Sequence, residues 1–151
     1  MTEYKSYLPE ITLKYKTGLQ KNVKIASSKD TYELLMSFYD QDTIELTESF
    51  ICIFLNKGNR SLGWIKISSG GIAGTVADPK IIMATALGCG ASSIILSHNH
   101  PSGRREPSDP DIRLTKRLKE GAIFLDMIIL DHIIIGAGDT NYYSFADEGT
   151  L

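Results

Sequence analysis

Short β-branched runs alternate along the chain with segments whose apolar positions have helical spacing. Phe50–Leu55 is wholly apolar and Ser93–Ser97 has an apolar centre, and both predict buried strands. Gly63–Ile67 follows the turn Lys57–Arg60, and this pattern predicts the second strand of a β-hairpin. Three later runs rich in β-branched or aromatic residues also predict strands, the last at a sheet edge: Met127–Leu130, Ile133–Ile135 and Tyr142–Phe145.

Three segments predict helices. The first runs from about Asp30 to Tyr39 with Ser28 as its cap. Asp78-Pro79 opens the second, an apolar helix that Gly88-Cys-Gly90 ends. The third runs from about Asp109 to Glu120, with Ile112, Thr115 and Leu118 available to pack. Helices alternating with apolar strands predict an α/β sheet with helices packed on it in one layer or two.

Composition is that of a single globular domain. The chain has 151 residues, 42% hydrophobic, so its own core can stabilise the fold and a metal would be catalytic rather than structural. The formal charge of −2 argues against a protein built mainly to neutralise nucleic-acid phosphates. Cys52 and Cys89 lie far apart and predict free thiols.

The N-terminal segment carries no recognisable targeting signal. Residues 1–27 predict an added arm or a strand at Ile11–Tyr15, and no apolar run is long enough for a signal peptide or a membrane span. We therefore expect a reduced, cytoplasmic protein without membrane contact.

Candidate chemistry is concentrated after the Ser93–Ser97 strand. His98 and His100 stand two residues apart, so in an extended segment their imidazoles project to one side, with Cα atoms roughly 6.5–7 Å apart. A catalytic zinc ion needs three protein ligands and leaves a fourth position for water. Asp111, at the start of the third predicted helix, is the natural third ligand.

A separate carboxylate must then manage the proton of the attacking water. Glu48, just before the first strand, is our choice, and Glu45 and Glu106 are alternatives that geometry would decide. Ser108 is a candidate to hold that water or to donate to an oxyanion.

Each of these residues has an ordinary alternative role. Ser108 and Asp111 have the spacing of a capping box, a role compatible with metal ligation. His132 is either a third imidazole ligand or a hydrogen-bonded structural histidine. The basic side chains of the third helix either form a solvated surface or contact nucleic acid. They are Arg113, Lys116, Arg117 and Lys119.

The combined pattern resembles the JAB/MPN metalloprotease superfamily, whose JAMM motif is a Glu upstream of His-x-His-x(7)-Ser-x-x-Asp. His98, His100, Ser108 and Asp111 match that spacing in full. Three segments are similar to the bacterial RadC family, historically labelled DNA repair proteins: Ser97–Gly103, Glu106–Ser108 and Leu130–Gly136. The similarity runs from about Leu46 to the C-terminus.

The resemblance implies a single-domain α/β sandwich around a curved mixed sheet, similar to cytidine deaminases, over residues 28–151. It implies zinc ligation by His98, His100 and Asp111, Glu48 as general base, and hydrolysis of a peptide or isopeptide bond in a protein substrate. Deaminase chemistry itself is not expected, because the H-x-E and P-C-x-x-C signatures are absent from the sequence.

Two departures from the family qualify the transfer. RadC proteins often carry an N-terminal helix-hairpin-helix region for DNA. This chain has room only for a short arm and a helix before the catalytic-type domain, so DNA binding through such a region is not expected. Gly70–Val76 is richer in glycine than the family's segment there, which predicts a more mobile loop or a different ligand.

Overall fold

The computed structural model describes residues 8–16, 18, 22–70, 77–138 and 140–151. Within these ranges the chain forms helices and strands in alternation. In chain order they are α1 (Ser28–Met36), β1 (Ser49–Leu55), β2 (Ser61–Ser69), α2 (Pro79–Gly88), β3 (Ser93–Asn99), α3 (Asp109–Phe124), β4 (Ile128–Ile135) and β5 (Tyr142–Ser144).

The strands form one mixed sheet in the order β2-β1-β3-β4-β5. β3 and β4 are parallel because α3 crosses over between them, and the other neighbouring pairs are antiparallel. Every residue of β1 and β3 is buried, which explains the apolar runs Phe50–Leu55 in β1 and 94–96 in β3.

Helices cover both faces of the sheet. The even-numbered side chains of β1, such as Phe50 and Phe54, pack with Ile82 of α2 and Leu118 of α3. The odd-numbered side chains pack with Leu35 of α1 and its neighbours on the other face. The predicted α/β sandwich with a mixed sheet is confirmed.

Several local predictions are confirmed as well. β1 and β2 form the hairpin, and Asp78 caps α2 with Pro79 in its first turn. β5 lies at an edge of the sheet. Both cysteines are free thiols.

For the N-terminal segment an arm or a strand was predicted; Ile11–Tyr15 forms no strand, and the side chains of 8–16 are exposed. Two predictions about the ends of α1 were wrong. The cap of α1 is Ser27, not Ser28: its hydroxyl accepts from the Asp30 amide while the Asp30 carboxylate accepts from the Ser27 amide. The helix ends at Met36, short of Tyr39.

β4 is one strand where two were predicted. Asp131 interrupts the apolar pattern but is satisfied inside the protein, because it accepts hydrogen bonds from the Ser144 hydroxyl at 2.6 Å and the Ala146 amide at 3.0 Å. The polar pair Asp131-His132 therefore does not break the ladder.

α3 also differs from its prediction. It continues past Glu120 to Phe124, and Ile112 is 44% exposed whereas Thr115 and Leu118 are buried. The packed face therefore includes Thr115 and Leu118 as predicted and continues to Ala122, but it does not include Ile112.

No helix in the described part of the chain is both long and apolar enough to cross a bilayer. The glycine-rich segment singled out in the sequence, apart from Gly70, falls at 71–76 and lies outside the described residues.

Candidate metal centre

The topology brings three chain segments to one end of the sheet. β1 runs antiparallel to β3 with Phe50 opposite His98, so Glu48, two residues before Phe50, lies at the level of His100. The amide of His100 donates to the Ile135 carbonyl at 2.9 Å, which ties the segment after β3 to the end of β4. α3 then begins beside them at Asp109.

Three of the predicted site residues form a compact cluster. One ligand atom from each of His98, His100 and Asp111 lies within 4.8 Å of the other two. The His98 Nε2 lies 3.0 Å from the His100 Nε2 and 3.2 Å from the Asp111 Oδ1. His100 Nε2 lies 3.5 Å from Asp111 Oδ2.

A chain of buried hydrogen bonds orients the His98 ring. The Thr115 hydroxyl donates its proton to the Asp111 carbonyl at 2.7 Å, so toward His132 Nδ1, 2.6 Å away, it can only accept. Burial lowers the pKa of His132 well below its usual value, so this ring is neutral and its Nε2 is an acceptor. The His98 Nδ1–H therefore donates to His132 Nε2 at 2.8 Å, and His98 Nε2 faces the cluster.

His132 therefore lies on the side of the His98 ring that faces away from the cluster. Its two ring nitrogens face His98 and Thr115 rather than the ligand atoms, which favours the structural alternative over a ligand role. His100 is oriented in a similar way, because its Nδ1 donates to the Arg104 carbonyl at 2.9 Å. In both predicted imidazole ligands, Nε2 is the nitrogen left for a metal.

Asp111 performs the capping role and also belongs to the cluster. Its Oδ2 accepts from the Ser108 amide at 2.8 Å while its own amide donates to the Ser108 hydroxyl oxygen at 3.3 Å, and the two bonds form a capping box. The same Oδ2 also accepts from the Ser108 hydroxyl at 2.7 Å. Its Oδ1 faces His98. Burial opposes ionisation of Asp111, but hydrogen bonds from His100 and Ser108, together with the adjacent His98, outweigh it and hold its pKa well below the usual value.

Glu48 is a partly buried carboxylate whose ionisation is coupled to that of the cluster. Burial raises its pKa, while the nearby His98 and His100 partly oppose that rise. Glu45 and Glu106 are exposed, and each lines a cavity that also reaches His100. A carboxylate with a raised pKa beside candidate metal ligands suits proton transfer.

His100 also titrates with the cluster. Its hydrogen bond with Asp111 raises the pKa of His100 above the usual value, although burial works in the opposite direction. A proton and a metal ion would therefore compete for the Nε2 of His100.

Two cavities flank His100. One of about 300 Å³ is bordered by mainly apolar or small residues, including Met36, Ile44, Ile135 and Ala137, with Glu45. The other, of about 250 Å³, is bordered by polar residues that include Ser102, Arg104 and Glu106. A ligand in an extended conformation could therefore reach the cluster through either cavity.

The donor set fits a zinc ion. Two imidazole nitrogens and one carboxylate oxygen are the ligand types that zinc takes in hydrolytic sites, where a fourth position stays open. Both imidazoles are fixed by hydrogen bonds from the nitrogen that does not face the cluster, as metal-ligating histidines usually are.

Two residues beside the cluster were missed in the sequence. Thr115 was expected only to pack, and no role was predicted for Asn99. Neither gives a distinguishing signal, because their roles depend on which strand or helix lies opposite.

Comparison with known proteins agrees with this fold. The family model described as "RadC-like JAB domain" matches residues 25–150. A "UPF0758 protein" of Flavobacterium johnsoniae is 43% identical over 127 residues, 83% of this chain and 53% of that relative. Proteins of the same name from Aquifex aeolicus and Methanosarcina mazei are 34% and 40% identical, over 95% and 83% of this chain.

The chain thus spans little more than half of each of these relatives, 53% to 59% of their length. The family match covers most of the chain, including β1, β3 and the start of α3, where the cluster lies. On this basis, the chain belongs to the RadC-like JAB domain family.

Proposed function

We propose that this domain is a zinc-dependent hydrolase that cleaves a peptide or isopeptide bond in a protein substrate. The observation that carries the proposal is the convergence of His98, His100 and Asp111, with their ligand atoms within 4.8 Å of one another. The bond type follows from the family and from the resemblance of the motif to metalloproteases.

His98, His100 and Asp111 would hold the ion, which when bound supplies a Lewis acid and a source of activated water. Thr115 and His132 hold the His98 ring in place, and the Arg104 carbonyl holds His100. These contacts pre-orient the ligands, so little rearrangement is required on binding.

Glu48 would accept the proton of the attacking water and return it to the leaving amine. Its raised pKa keeps the protonated form accessible nearer neutral pH than for an exposed glutamate, which general acid–base catalysis requires. Ser108 already donates to Asp111, so its first contribution is to fix that carboxylate. A direct contact of Ser108 with water or an oxyanion stays a prediction.

Metal analysis with activity assays tests the proposal. We expect about one zinc per chain in the wild type and loss of zinc in His98→Ala. Glu48→Gln should keep zinc while hydrolysis of a quenched-fluorescent peptide library, or of isopeptide-linked protein pairs, falls on the order of 100-fold or more. Glu45→Gln is the matched control and should retain activity.

Two results would contradict the proposal. A protein purified in the presence of zinc that contains none would refute the metal site. Equal hydrolysis by wild type and Glu48→Gln would refute the proposed role of Glu48.

A second candidate function is contact with DNA through α3. Arg113, Lys116 and Arg117 are exposed, and among the described residues none of them forms an ion pair. Salt-sensitive DNA binding that weakens when these three are replaced would support this function. No binding at low salt would count against it.

A further inference from the structure

We propose that Asn99 is a positioning residue that holds segment 44–49, and with it Glu48, in register with the metal ligands. The inference rests on the proposed function for its catalytic consequence. Its structural part concerns the segment alone and can be tested without a substrate.

Asn99 is 1% exposed, and both polar atoms of its side-chain amide form hydrogen bonds to this segment. Its Oδ1 accepts from the Ser49 amide at 2.8 Å. Its Nδ2 donates to the Ile44 carbonyl at 2.6 Å and to the Thr47 carbonyl at 2.9 Å. Since carbonyls only accept, the orientation of the amide is fixed by its partners.

These contacts bracket Glu48 in the sequence. Thr47 and Ser49 are its immediate neighbours, and both are bound through their backbones to the same side chain. The Glu48 carbonyl also accepts from the Gly70 amide at 2.9 Å. The backbone of Glu48 is therefore held on both sides, and the direction of its carboxylate follows from that backbone.

The alternation of β3 explains why this residue can do so. Successive side chains of a strand point to opposite faces, so His98 and His100 project to one side and Asn99 to the other. The residue between the two predicted ligands thus connects them to the segment that carries the predicted base. A displacement of β3 would move ligands and base together.

Apolar packing alone holds the segment weakly. Ile44 is partly buried against the core, but Leu46 is 56% exposed and Glu45 is exposed. The turn has its own backbone bonds, from the Leu46 and Thr47 amides to the Thr43 carbonyl, which fix its shape but not its position on the sheet. Asn99 fixes that position at Ile44, Thr47 and Ser49, and the Gly70 amide adds one bond to the Glu48 carbonyl.

No other common side chain can make the same three bonds. Aspartate would turn a carboxylate oxygen toward the Ile44 and Thr47 carbonyls, which cannot donate to it. Serine or alanine is too short to reach all three partners. Replacement therefore releases the segment.

The test compares Asn99→Ala and Asn99→Asp with Ser144→Ala. Ser144 is also buried and donates to Asp131 at 2.6 Å, away from segment 44–49, so this control loses a buried hydrogen bond elsewhere. We expect zinc affinity of the Asn99 variants within about threefold of wild type, because the ligand side chains remain. Hydrogen exchange at the backbone amides of 44–49 should accelerate at least tenfold in the Asn99 variants and not in the control.

Hydrolysis of the peptide library should then fall on the order of 100-fold in kcat with little change in KM, the cost of a misplaced catalytic group. If Asn99 acts through Glu48, Asn99→Ala should cause no further loss in a Glu48→Gln background. Equal losses in both backgrounds would overturn the catalytic part.

Exchange in the wild-type protein decides the structural part even if the Asn99 variants do not fold. The Ser49 amide should exchange far more slowly than the Glu45 amide. Similar rates for the two would overturn the proposal. An absence of any hydrolysis would instead contradict the proposed function and leave the exchange result to stand on its own.

Discussion

At the scale of single residues, His98 and His100 each use Nδ1 for a hydrogen bond to the protein and direct Nε2 toward the cluster. For His98 this arrangement is fixed by a series of hydrogen bonds that begins at the Asp111 carbonyl and passes through Thr115 and His132. The same aspartate thus contributes its side chain to the cluster and its backbone to the orientation of His98.

Replacing Thr115 by valine tests this series of hydrogen bonds. The change removes the hydroxyl that accepts from His132 Nδ1. His132 can then carry its proton on Nε2 and donate it to His98 Nδ1, which moves the His98 proton to the Nε2 that faces the cluster. We expect zinc affinity, measured by competition with a chelator, to fall about 10- to 100-fold. Thr31→Val is the matched control, since Thr31 is also buried on a helix and donates to a backbone carbonyl. Equal affinities in the two variants would contradict the role of Thr115.

The raised pKa of His100 predicts how zinc binding depends on pH. Metal binds the deprotonated ring, so protons compete with zinc at every pH below the pKa of His100 in the metal-free protein. Because that pKa lies above the usual 6.5, affinity should begin to fall at a higher pH than for an isolated imidazole. Asp111, with its lowered pKa, stays ionised through this range.

Titration of His100 by NMR in the metal-free protein, beside zinc affinity measured from pH 5 to 8, checks this prediction. The decline in affinity and the protonation of His100 should coincide. A His100 pKa below the ordinary value would contradict it.

At the scale of secondary-structure elements, the turn after His100 depends on a glycine. Gly103 has φ +86°, and a Cβ placed there would lie 2.9 Å from the Ala137 Cβ. Gly138 has a similar φ of +84° but no atom within 4 Å of an added Cβ. The two positions therefore separate backbone strain from collision.

Gly103→Ala should lower the free energy of unfolding by about 1–3 kcal/mol, through strain and displacement of the turn. It should also weaken zinc binding, because Arg104 follows directly and its carbonyl holds the His100 ring. Gly138→Ala should show the strain alone and leave zinc affinity unchanged. Chemical denaturation and chelator competition measure both effects, and equal behaviour of the two variants would contradict the argument.

How far an element could be predicted depended on how locally it is determined. β1 and β3 are buried on both faces, and α2 begins with Asp78-Pro79, so their patterns suffice. The two-step spacing of His98 and His100 likewise predicted their convergence. β4 was divided in error because the partners that satisfy Asp131 come from Ser144 and Ala146, beyond the strand.

The contributions of Asn99 and Thr115 could not be read from the sequence for the same reason. Each bonds a partner that the topology brings in from another element, segment 44–49 for Asn99 and His132 on β4 for Thr115. Only Thr115 also has a partner within its own helix, the Asp111 carbonyl. Sequence alone therefore predicts the candidate ligands more readily than the residues that orient them.

At the scale of the whole molecule, the hydrophobic cores extend along the sheet beyond the metal cluster, which adjoins one of them where His98 stacks on Phe50. The cores lie on the two faces of the sheet, between it and the helices, while the cluster lies at one end of the strands. The fold therefore has apolar packing of its own, and we expect a chelator to leave the metal-free domain folded.

Thermal unfolding followed by circular dichroism, with and without chelator, tests this expectation. Zinc that binds the native state alone should add about 2.7 kcal/mol of stability at a free concentration of 100 times Kd. The midpoint should therefore rise with zinc in the wild type and stay constant in His98→Ala, whose metal-free spectrum should match that of the wild type. Loss of helical signal on chelation at room temperature would show that the ion holds the fold together and would contradict the assignment of the site as catalytic.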